Sequence, residues 1–183
     1  MEIRVQTSTA TQHGRYLPIF IDAKANYASA PARILSFGCS TGVETETLSG
    51  VWPDAVIEGV EINDEVRAMA IETYPHRRFF PPSDLAGQYD LVTAMSVLCS
   101  WPEKSYGILD YGIFVEACKS IDRCLKPGGL LICYNYTYSP LNVLTDYEAL
   151  PGNSYGPNYV ASRAPDGTNL RAFFSTVYFR KPS

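Results

Sequence analysis

Five short apolar runs are the feature that most limits how this chain can fold. A strand covered on both faces of a sheet is apolar throughout, whereas a half-exposed strand alternates apolar and polar residues. Segments with helical spacing separate the runs, and this alternation predicts right-handed βαβ units in a parallel, doubly wound sheet. The predicted strands are Ile34–Phe37, Ala55–Ile62, Arg78–Phe80, Leu91–Met95 and Leu130–Tyr134.

Three connections between these strands have helical character. The first predicted helix, Val43–Ser49, follows a glycine. The second begins after Asn63, a good N-cap residue, and runs to about Tyr74, just before a proline. The third, Ile108–Leu125, has apolar residues every three or four positions and ends at a Lys-Pro-Gly-Gly turn.

The chain changes character from Pro140 onward, where turn-forming residues dominate. We expect a loop-rich excursion there with one short helix at Asn142–Leu150. The segment Phe173–Arg180 alternates well enough to be a last strand, antiparallel at the edge of the sheet. The predicted fold class is therefore α/β, with a doubly wound, mostly parallel sheet, helices on both faces and an antiparallel C-terminal edge strand.

Composition excludes several kinds of protein. With 46% hydrophobic and 19% charged residues the chain is globular, and its net charge of -4 argues against a dedicated nucleic-acid binder. Five cysteines without a C-x-x-C pair predict reduced, mostly buried thiols and no metal site. No apolar run approaches the ~18 residues of a membrane span, so we predict a cytoplasmic protein with no membrane segment.

A glycine-bounded turn follows the first predicted strand. Gly38 ends that strand, Gly42 precedes the first helix, and only Cys39, Ser40 and Thr41 lie between them. Ligands of such sheets bind beyond the carboxyl ends of the strands, where exposed backbone N–H groups and a helix N-terminus favour a negative group. The alternative is a tight strand-to-helix turn that binds nothing.

An acidic residue ends the second predicted strand. Glu61 follows Gly42 by nineteen residues, close to the ~20-residue offset at which an acidic side chain accepts hydrogen bonds from ribose hydroxyls. A solvated charge at a strand end is the alternative. Together the turn and the carboxylate predict a ligand that contains adenosine.

At these residues the chain resembles the class I S-adenosylmethionine-dependent methyltransferase family, whose fold is Rossmann-like. Five ordered blocks carry the resemblance, from Ile34 to Tyr134 and in the closing strand: "ILSFGCSTG", "VEIN", "PPSDLAGQYDLVTAMSVLCSWPE", "CLKPGGLLICYN" and "FFSTVYFRKP". Each block alone is weakly specific, but the ordered set is strong. The resemblance implies S-adenosylmethionine as cofactor, S-adenosylhomocysteine as product, and methyl transfer as the reaction.

The resemblance also implies roles for the first two blocks. Gly38, Cys39, Ser40 and Gly42 would line the methionine and ribose portions of the cofactor through backbone contacts. Glu61 would hold the ribose hydroxyls. These assignments belong to a single domain, residues 1–183, in which 1–33 form an N-terminal helical lid segment, 34–136 the cofactor-binding core and 137–183 the loop-rich excursion with the closing strand.

Five further residues receive roles from the later blocks. Ile62 would pack against the adenine, Asp84 would accept a hydrogen bond from the adenine amino group, and the Leu85 amide would lie near a ring nitrogen. Met95 and Ser96, at the end of the fourth strand, would flank the methyl donor. No catalytic residue is assigned, because the methyl carbon on a sulfonium is already activated and needs chiefly alignment.

Two positions depart from the family pattern. Ser36 stands where the family usually has an acidic residue, and Ser40 stands where it usually has glycine. The serine at 36 removes a charge that could hold the cofactor's ammonium group. Glu44 is a candidate to replace that charge.

Other functions remain open at this point. An NAD-dependent oxidoreductase fits less well, because the G-x-G-x-x-G spacing is missing. A methyltransferase-like domain that serves as a binding or partner subunit is a second alternative. The N-P-P-Y motif of enzymes that methylate exocyclic amines of DNA bases is absent, which disfavours DNA as the acceptor. A small-molecule acceptor is expected, while nucleic acid or protein acceptors stay open.

Several side chains are placed to face an acceptor. His13 lies in "QHGRYLPIF", a segment that is a candidate to fold over the cofactor site, although exposure without function is the alternative. Thirteen tyrosines could form an aromatic pocket or could simply pack loops. The candidates after the fourth and fifth strands are Cys99, Trp101, Tyr134, Asn135, Tyr136, Tyr138, Tyr147, Tyr155 and Tyr159.

Overall fold

The computed structural model describes residues 11–99, 109–152, 162–170 and 174–183. Short 3-10 turns occur at Pro82–Asp84 and Pro140–Asn142. The helices and strands, in chain order, are α1 Leu17–Asn26, β1 Arg33–Phe37, α2 Val43–Val51, β2 Val56–Val60, α3 Asp64–Thr73, β3 Arg78–Phe80, β4 Tyr89–Met95, α4 Tyr111–Cys124, β5 Leu125–Tyr134, β6 Glu148–Leu150 and β7 Tyr178–Arg180.

The strands form one sheet in the order β3-β2-β1-β4-β5-β7-β6. The first five are parallel, and β7 runs antiparallel to both β5 and β6. The predicted α/β fold class is confirmed. From β1 the chain winds outward to β2 and β3, and then returns to the other side of β1 with β4, so the order reverses between β1 and β4. That reversal is where doubly wound sheets bind ligands.

The sheet is covered on both faces because neighbouring residues of a strand point to opposite sides. Ile34 and Leu91 pack with α1 and α2, whereas Leu35 and Val92 pack with α4. The helix α4 contributes a single buried stripe, as the sequence predicted, made of Phe114, Ala117, Cys118, Ile121 and Cys124.

Helix boundaries follow the local capping chemistry. The side chain of Asn63 accepts hydrogen bonds from the amides of Glu65 and Val66, at 3.0 and 3.1 Å, which confirms it as the N-cap of α3. Asp110 caps α4 by accepting from the Ile113 amide at 3.1 Å. The predicted start of that helix, at residue 108, lies outside the described residues.

The C-terminal region differs from the prediction. The helix expected at Asn142–Leu150 is wrong: a 3-10 turn ends at Asn142, and Glu148–Leu150 forms β6, paired with β7. Three residues are too few to show an alternation, so the sequence gives no signal for this strand. Because β6 lies outside β7, the last strand pairs on both sides; the predicted start of that strand, Phe173, lies outside the described residues.

All five cysteines are free and buried, and the predicted burial is confirmed. Burial raises the pKa of the Cys99, Cys118 and Cys124 thiols to about 12. These thiols therefore stay protonated and pack as small apolar groups.

Candidate functional site at the carboxyl edge of the sheet

The turn between β1 and α2 has an unusual backbone. Gly38, Ser40 and Gly42 have φ values of +74°, +52° and +84°, in the left-handed region. A Cβ atom on Gly38 would lie 2.5 Å from a methyl of Val97, and one on Gly42 would lie 2.8 Å from the ring of Phe79. Glycine is therefore required at both positions by the protein's own packing, whatever ligand the turn binds.

Backbone and carboxylate hydrogen bonds tie this turn to the end of β2. The Gly38 and Cys39 amides both donate to the Val60 carbonyl, at 2.8 and 3.0 Å. The carboxylate of Glu61, only 4% exposed as a residue, accepts from the Ser40 amide at 2.9 Å through Oε2.

The other Glu61 oxygen is also engaged by the backbone. Oε1 accepts from the Asn63 amide at 2.9 Å, so one carboxylate joins the turn after β1 to the start of α3. Each carboxylate oxygen has a second lone pair. Glu61 can therefore hold the turn in shape and still accept two hydrogen bonds from a bound ligand.

A cavity of about 240 Å³ opens beside this carboxylate. Its walls are mostly apolar and include Phe37, Ile62 and Val97 from the sheet edge and Ile113 from α4, with Glu61 as a charged member. An apolar slot with one buried carboxylate suits a flat ring joined to a hydroxylated sugar. Adenosine has both parts, so the residues present fit an adenosine-containing cofactor.

The loop after β3 borders the same cavity through Pro82. Asp84 is exposed and accepts a hydrogen bond from the Ser83 hydroxyl at 2.9 Å. The Leu85 amide donates to the Pro82 carbonyl at 3.2 Å, within the 3-10 turn. Both predicted adenine contacts therefore lie in a loop next to the cavity, and the Leu85 amide already has one acceptor.

Met95 and Ser96, the two site residues predicted at the end of β4, have different surroundings. The Met95 side chain is buried in the core packed against α1 and α2, so its backbone alone faces the edge. Ser96 has φ +58°, and its hydroxyl lies 2.7 Å from the Tyr16 hydroxyl and 2.9 Å from Nδ2 of Asn135. Asn135, at the end of β5, has φ +55°.

The N-terminal segment reaches this polar cluster, defined by Tyr16, Ser96 and Asn135. The Tyr16 ring packs edge-on against Tyr134, with centroids 5.9 Å apart, and the Arg15 guanidinium lies 5.0 Å from the Tyr16 centroid. Burial raises the pKa of Tyr16, so its hydroxyl stays protonated. The sequence analysis selected the segment that contains Tyr16 but not Tyr16 itself, because its partner Ser96 is 80 positions away.

A second carboxyl group lies under the turn. Oε1 of Glu44, in the first turn of α2, accepts from the hydroxyls of Ser36 at 2.8 Å and Thr93 at 2.6 Å. Ser36 and Thr93 face each other on β1 and β4. Burial raises the pKa of Glu44 to about 7, although these hydrogen bonds and Arg15 oppose the shift.

The acceptor-facing candidates within the described residues differ in their surroundings. Asn135 reaches the polar cluster, Cys99 and Tyr134 are buried, and His13 is exposed. Trp101, Tyr155 and Tyr159 lie outside the described residues. The three remaining tyrosines are buried and donate to internal acceptors: Tyr136 to the Thr176 carbonyl at 2.7 Å, Tyr138 to the Leu109 carbonyl at 2.8 Å and Tyr147 to Asp122 at 3.0 Å.

This site lies at the reversal point of a doubly wound sheet, the place where such folds bind nucleotide cofactors. A family model described as a methyltransferase domain matches residues 12–174. The chain therefore belongs to this methyltransferase family. The predicted membership in the class I S-adenosylmethionine-dependent methyltransferases is confirmed, and with it S-adenosylmethionine as the cofactor. No curated protein matches the chain significantly.

Solved structures share the fold at low sequence identity. TehB from Haemophilus influenzae is 16% identical with a TM-score of 0.57, over 95% of this chain and 63% of its own. CalS10, an amino pentose methyltransferase from Micromonospora echinaspora, is 22% identical with a TM-score of 0.53, over 86% of this chain and 60% of its own. This chain thus spans less than two thirds of either protein. None of the helices in the described residues combines the length and apolar character needed to cross a membrane.

Proposed function

We propose that the protein transfers the methyl group of S-adenosylmethionine to a small-molecule acceptor. The observation that carries the proposal is the Glu61 carboxylate, which shapes the turn after β1 and also lines the apolar cavity. The buried Glu61 carboxylate thus contacts both parts of the proposed nucleoside site, the turn after β1 and the apolar cavity. Family membership supplies the reaction class, and the cavity supplies a place for the adenosine.

The proposed contacts with the adenosine follow from this arrangement. Glu61 accepts from the ribose hydroxyls, and Ile62 packs on the adenine. Asp84 accepts from the adenine amino group, with the Leu85 amide beside the ring. Residues 34–136 would then form the cofactor-binding core of a single domain.

The remaining cofactor contacts involve the first turn and the end of β4. The backbone of Gly38, Cys39, Ser40 and Gly42 lines the ribose and methionine portions. Met95 and Ser96 flank the methyl donor, Met95 through its backbone because its side chain is buried in the core.

The acceptor would lie against the polar cluster of Tyr16, Ser96 and Asn135. The bound cofactor supplies a methyl group that is already activated, so the protein's task is to align a nucleophile and exclude water. Tyr16 keeps its proton, so it acts as a hydrogen-bond donor to the acceptor and not as a base. A carboxylate or other unprotonated acceptor needs no base.

Two structures with the same fold support a small acceptor. CalS10 is described as an amino pentose methyltransferase of calicheamicin biosynthesis. The mitomycin 7-O-methyltransferase MmcR also has this fold, at 17% identity and a TM-score of 0.50 over 64% of this chain. The net charge of -4 adds to this, because a polyanionic acceptor would be repelled.

Transfer of a labelled methyl group tests the proposal. The protein is incubated with methyl-labelled S-adenosylmethionine and a panel of small carboxylates, phenols, amines and sugars, with RNA and a protein extract as further arms. We expect label on at least one small molecule, and loss of transfer in Glu61→Ala. Transfer to RNA or protein alone contradicts the small-molecule assignment. Binding of S-adenosylhomocysteine without any transfer favours a partner subunit.

A further inference from the structure

Glu44 is a carboxyl group whose ionised form has no cationic partner in an ion pair among the described residues. It projects from α2 between β1 and β4, where Oε1 accepts hydrogen bonds from two neutral hydroxyls, those of Ser36 and Thr93. Both hydroxyls belong to fully buried residues. Glu44 itself is half-buried. A carboxylate that loses contact with water is costly unless it is paired, and among the described residues Glu44 takes part in no ion pair.

The second oxygen of Glu44 is available to a ligand. Among the described residues, the hydrogen bonds of Glu44 all involve Oε1. Every buried side-chain nitrogen and oxygen in this part of the structure has a hydrogen-bond partner. Oε2 makes no such bond, so it is at least partly exposed to solvent, above the carboxyl end of β1 where Ser36 lies.

The charged and titratable groups around Glu44 are few. Arg15, on the N-terminal segment, favours the ionised form of Glu44, and it is exposed at the surface. The negative charge of Glu44 in turn contributes to raising the pKa of Tyr16 and of Cys39. Burial dominates over all of these, and the pKa of Glu44 is about 7. A cation that arrived beside Oε2 would draw the group into its ionised form.

We propose that Glu44 binds the α-ammonium group of the cofactor and loses its proton as the cofactor binds. The inference rests on the proposed cofactor site. It adds Glu44 as a binding residue and the release of its proton on binding. S-adenosylmethionine and S-adenosylhomocysteine both carry an ammonium at the end of the molecule remote from the adenine. With the adenine in the cavity beside Glu61, that end would reach Glu44 by following the Gly38–Gly42 turn, which leads directly into α2.

The arrangement also explains how Ser36 can stand where a carboxylate is usual in the family. Its hydroxyl does not replace the charge but holds the Glu44 carboxyl in position at 2.8 Å. Thr93 does the same from β4. The charge therefore comes from a helix and is oriented by two strands.

Calorimetric titration with S-adenosylhomocysteine tests the proposal. Titrations at about pH 6, 7 and 8 are run in two buffers of different ionisation enthalpy, which counts the protons released. A group with a pKa of about 7 that becomes fully ionised in the complex releases about half a proton at pH 7. The same group makes the affinity about tenfold higher at pH 8 than at pH 6.

Two variants and a second ligand test whether the ammonium is the group that Glu44 binds. Glu44→Gln keeps an oxygen for Ser36 and Thr93, so the fold is retained, while affinity at pH 8 falls about 10- to 100-fold and no proton is released. Glu46→Gln removes the same charge from the same helix, where it pairs with Arg77 at 2.8 Å, and should match the parent. 5′-Methylthioadenosine lacks the ammonium, so it should bind parent and Glu44→Gln equally at every pH.

Two failures are distinguishable. If S-adenosylhomocysteine binds the parent with no proton release and binds Glu44→Gln equally well, the role of Glu44 is wrong while the cofactor site stands. If neither S-adenosylhomocysteine nor 5′-methylthioadenosine binds the parent, the cofactor site itself is wrong, and the role of Glu44 falls with it.

Discussion

Carboxylates lie at both edges of the parallel sheet, where its strands begin (the amino edge) and where they end (the carboxyl edge), and their partners differ. At the amino edge, Glu58 is bonded by Arg33 and Arg78, at 2.5 and 2.8 Å, and by the Tyr89 hydroxyl at 2.9 Å. Asp90 is paired with Lys126 at 2.7 Å. Every carboxylate named here has a cationic partner supplied by the protein.

At the carboxyl edge, Glu44 and Glu61 are held by hydroxyls and backbone amides instead. Within the described residues neither forms an ion pair. Burial would raise the pKa of Glu58, but the hydrogen bonds from its partners outweigh it, and the pKa lies below its ordinary value. Burial prevails at Glu44 and raises its pKa to about 7.

We infer that this difference separates carboxylates that stabilise the fold from carboxylates that bind a ligand. A carboxylate that is satisfied by internal cations stabilises the fold and has little to offer a ligand. A carboxylate with lone pairs left open is positioned for a partner that comes from outside. The predictions below test this division, in order of expected effect.

Glu61→Ala should have the largest effect on cofactor affinity. It removes an acceptor for two ribose hydroxyls, and bonds to a charged acceptor are worth about 1.5–3 kcal/mol, so affinity for S-adenosylhomocysteine should fall at least 100-fold. Unfolding stability should also fall, because the amides of Ser40 and Asn63 lose their acceptor. Titration calorimetry measures the affinity, and circular dichroism checks the fold. Unchanged affinity would remove Glu61 from the site.

Glu58→Gln should give the reverse pattern at the amino edge. The loss of charge-assisted bonds from Arg33 and Arg78 should lower the free energy of unfolding by about 2 kcal/mol. The affinity for S-adenosylhomocysteine should stay within about twofold of the parent. Urea unfolding and calorimetry on the same preparation give both numbers, and a large loss of affinity with unchanged stability would break the division between edges.

The two edges should also respond to pH with opposite sign. The pKa of Glu58 is lowered by folding, so its contribution to stability is present above its ordinary value of 4.5 and is lost as pH falls through the folded pKa. The pKa of Glu44 is raised by folding, so its contribution is present below about 4.5 and is lost as pH rises toward about 7.

Unfolding of the cofactor-free variants reads out this difference. Between about pH 5 and 8, Glu44→Gln should gain stability relative to the parent as pH rises. Over the same range the deficit of Glu58→Gln should stay constant, and it should shrink below about pH 4.5. Parallel curves for the parent and Glu44→Gln would show that burial does not hold the Glu44 proton.

Asp84→Ala should have the smallest effect. Asp84 is exposed, and a hydrogen bond made in water contributes little net free energy, so affinity for S-adenosylhomocysteine should fall by a few-fold at most. Asp84→Asn, which keeps an acceptor oxygen, should lie between the parent and Asp84→Ala. A loss larger than that of Glu61→Ala would place the main determinant of adenosine binding in the loop.

Sequence patterns predicted the parallel core well and the site in part. The five parallel strands are mostly apolar, although β2 carries Glu58 and β4 carries Asp90. Gly38, Gly42 and Glu61 stand at fixed positions relative to the ends of these strands.

Apolar runs indicate burial, so the existence of the first five strands could be predicted from the sequence. The start of β5 could not: it begins at Leu125 and includes the Lys-Pro-Gly-Gly segment that was predicted to be a turn before Leu130. The three-residue strand β6 could not be predicted either, because its pairing with β7 leaves no pattern in so short a segment.

The polar contacts at the carboxyl edge could not be predicted either, and the reason is a different one. Glu44 meets Thr93 across 49 positions and Tyr16 meets Ser96 across 80. No local spacing records such contacts, which depend on how the strands are ordered. The packing around Gly38 is a second such case. Because its φ is +74° and a Val97 methyl lies nearby, Gly38→Val should lower the stability of the fold as well as cofactor binding.

The central claim is that the carboxyl edge alone binds the cofactor. Its most direct test follows backbone amide chemical shifts while S-adenosylhomocysteine is titrated into isotopically labelled protein. We predict large shifts for the amides of Ser40 and Ile62, and little change for those of Arg78 and Gln88 at the opposite edge. Saturable shifts at Arg78 and Gln88, with Ser40 and Ile62 unmoved, would contradict this placement.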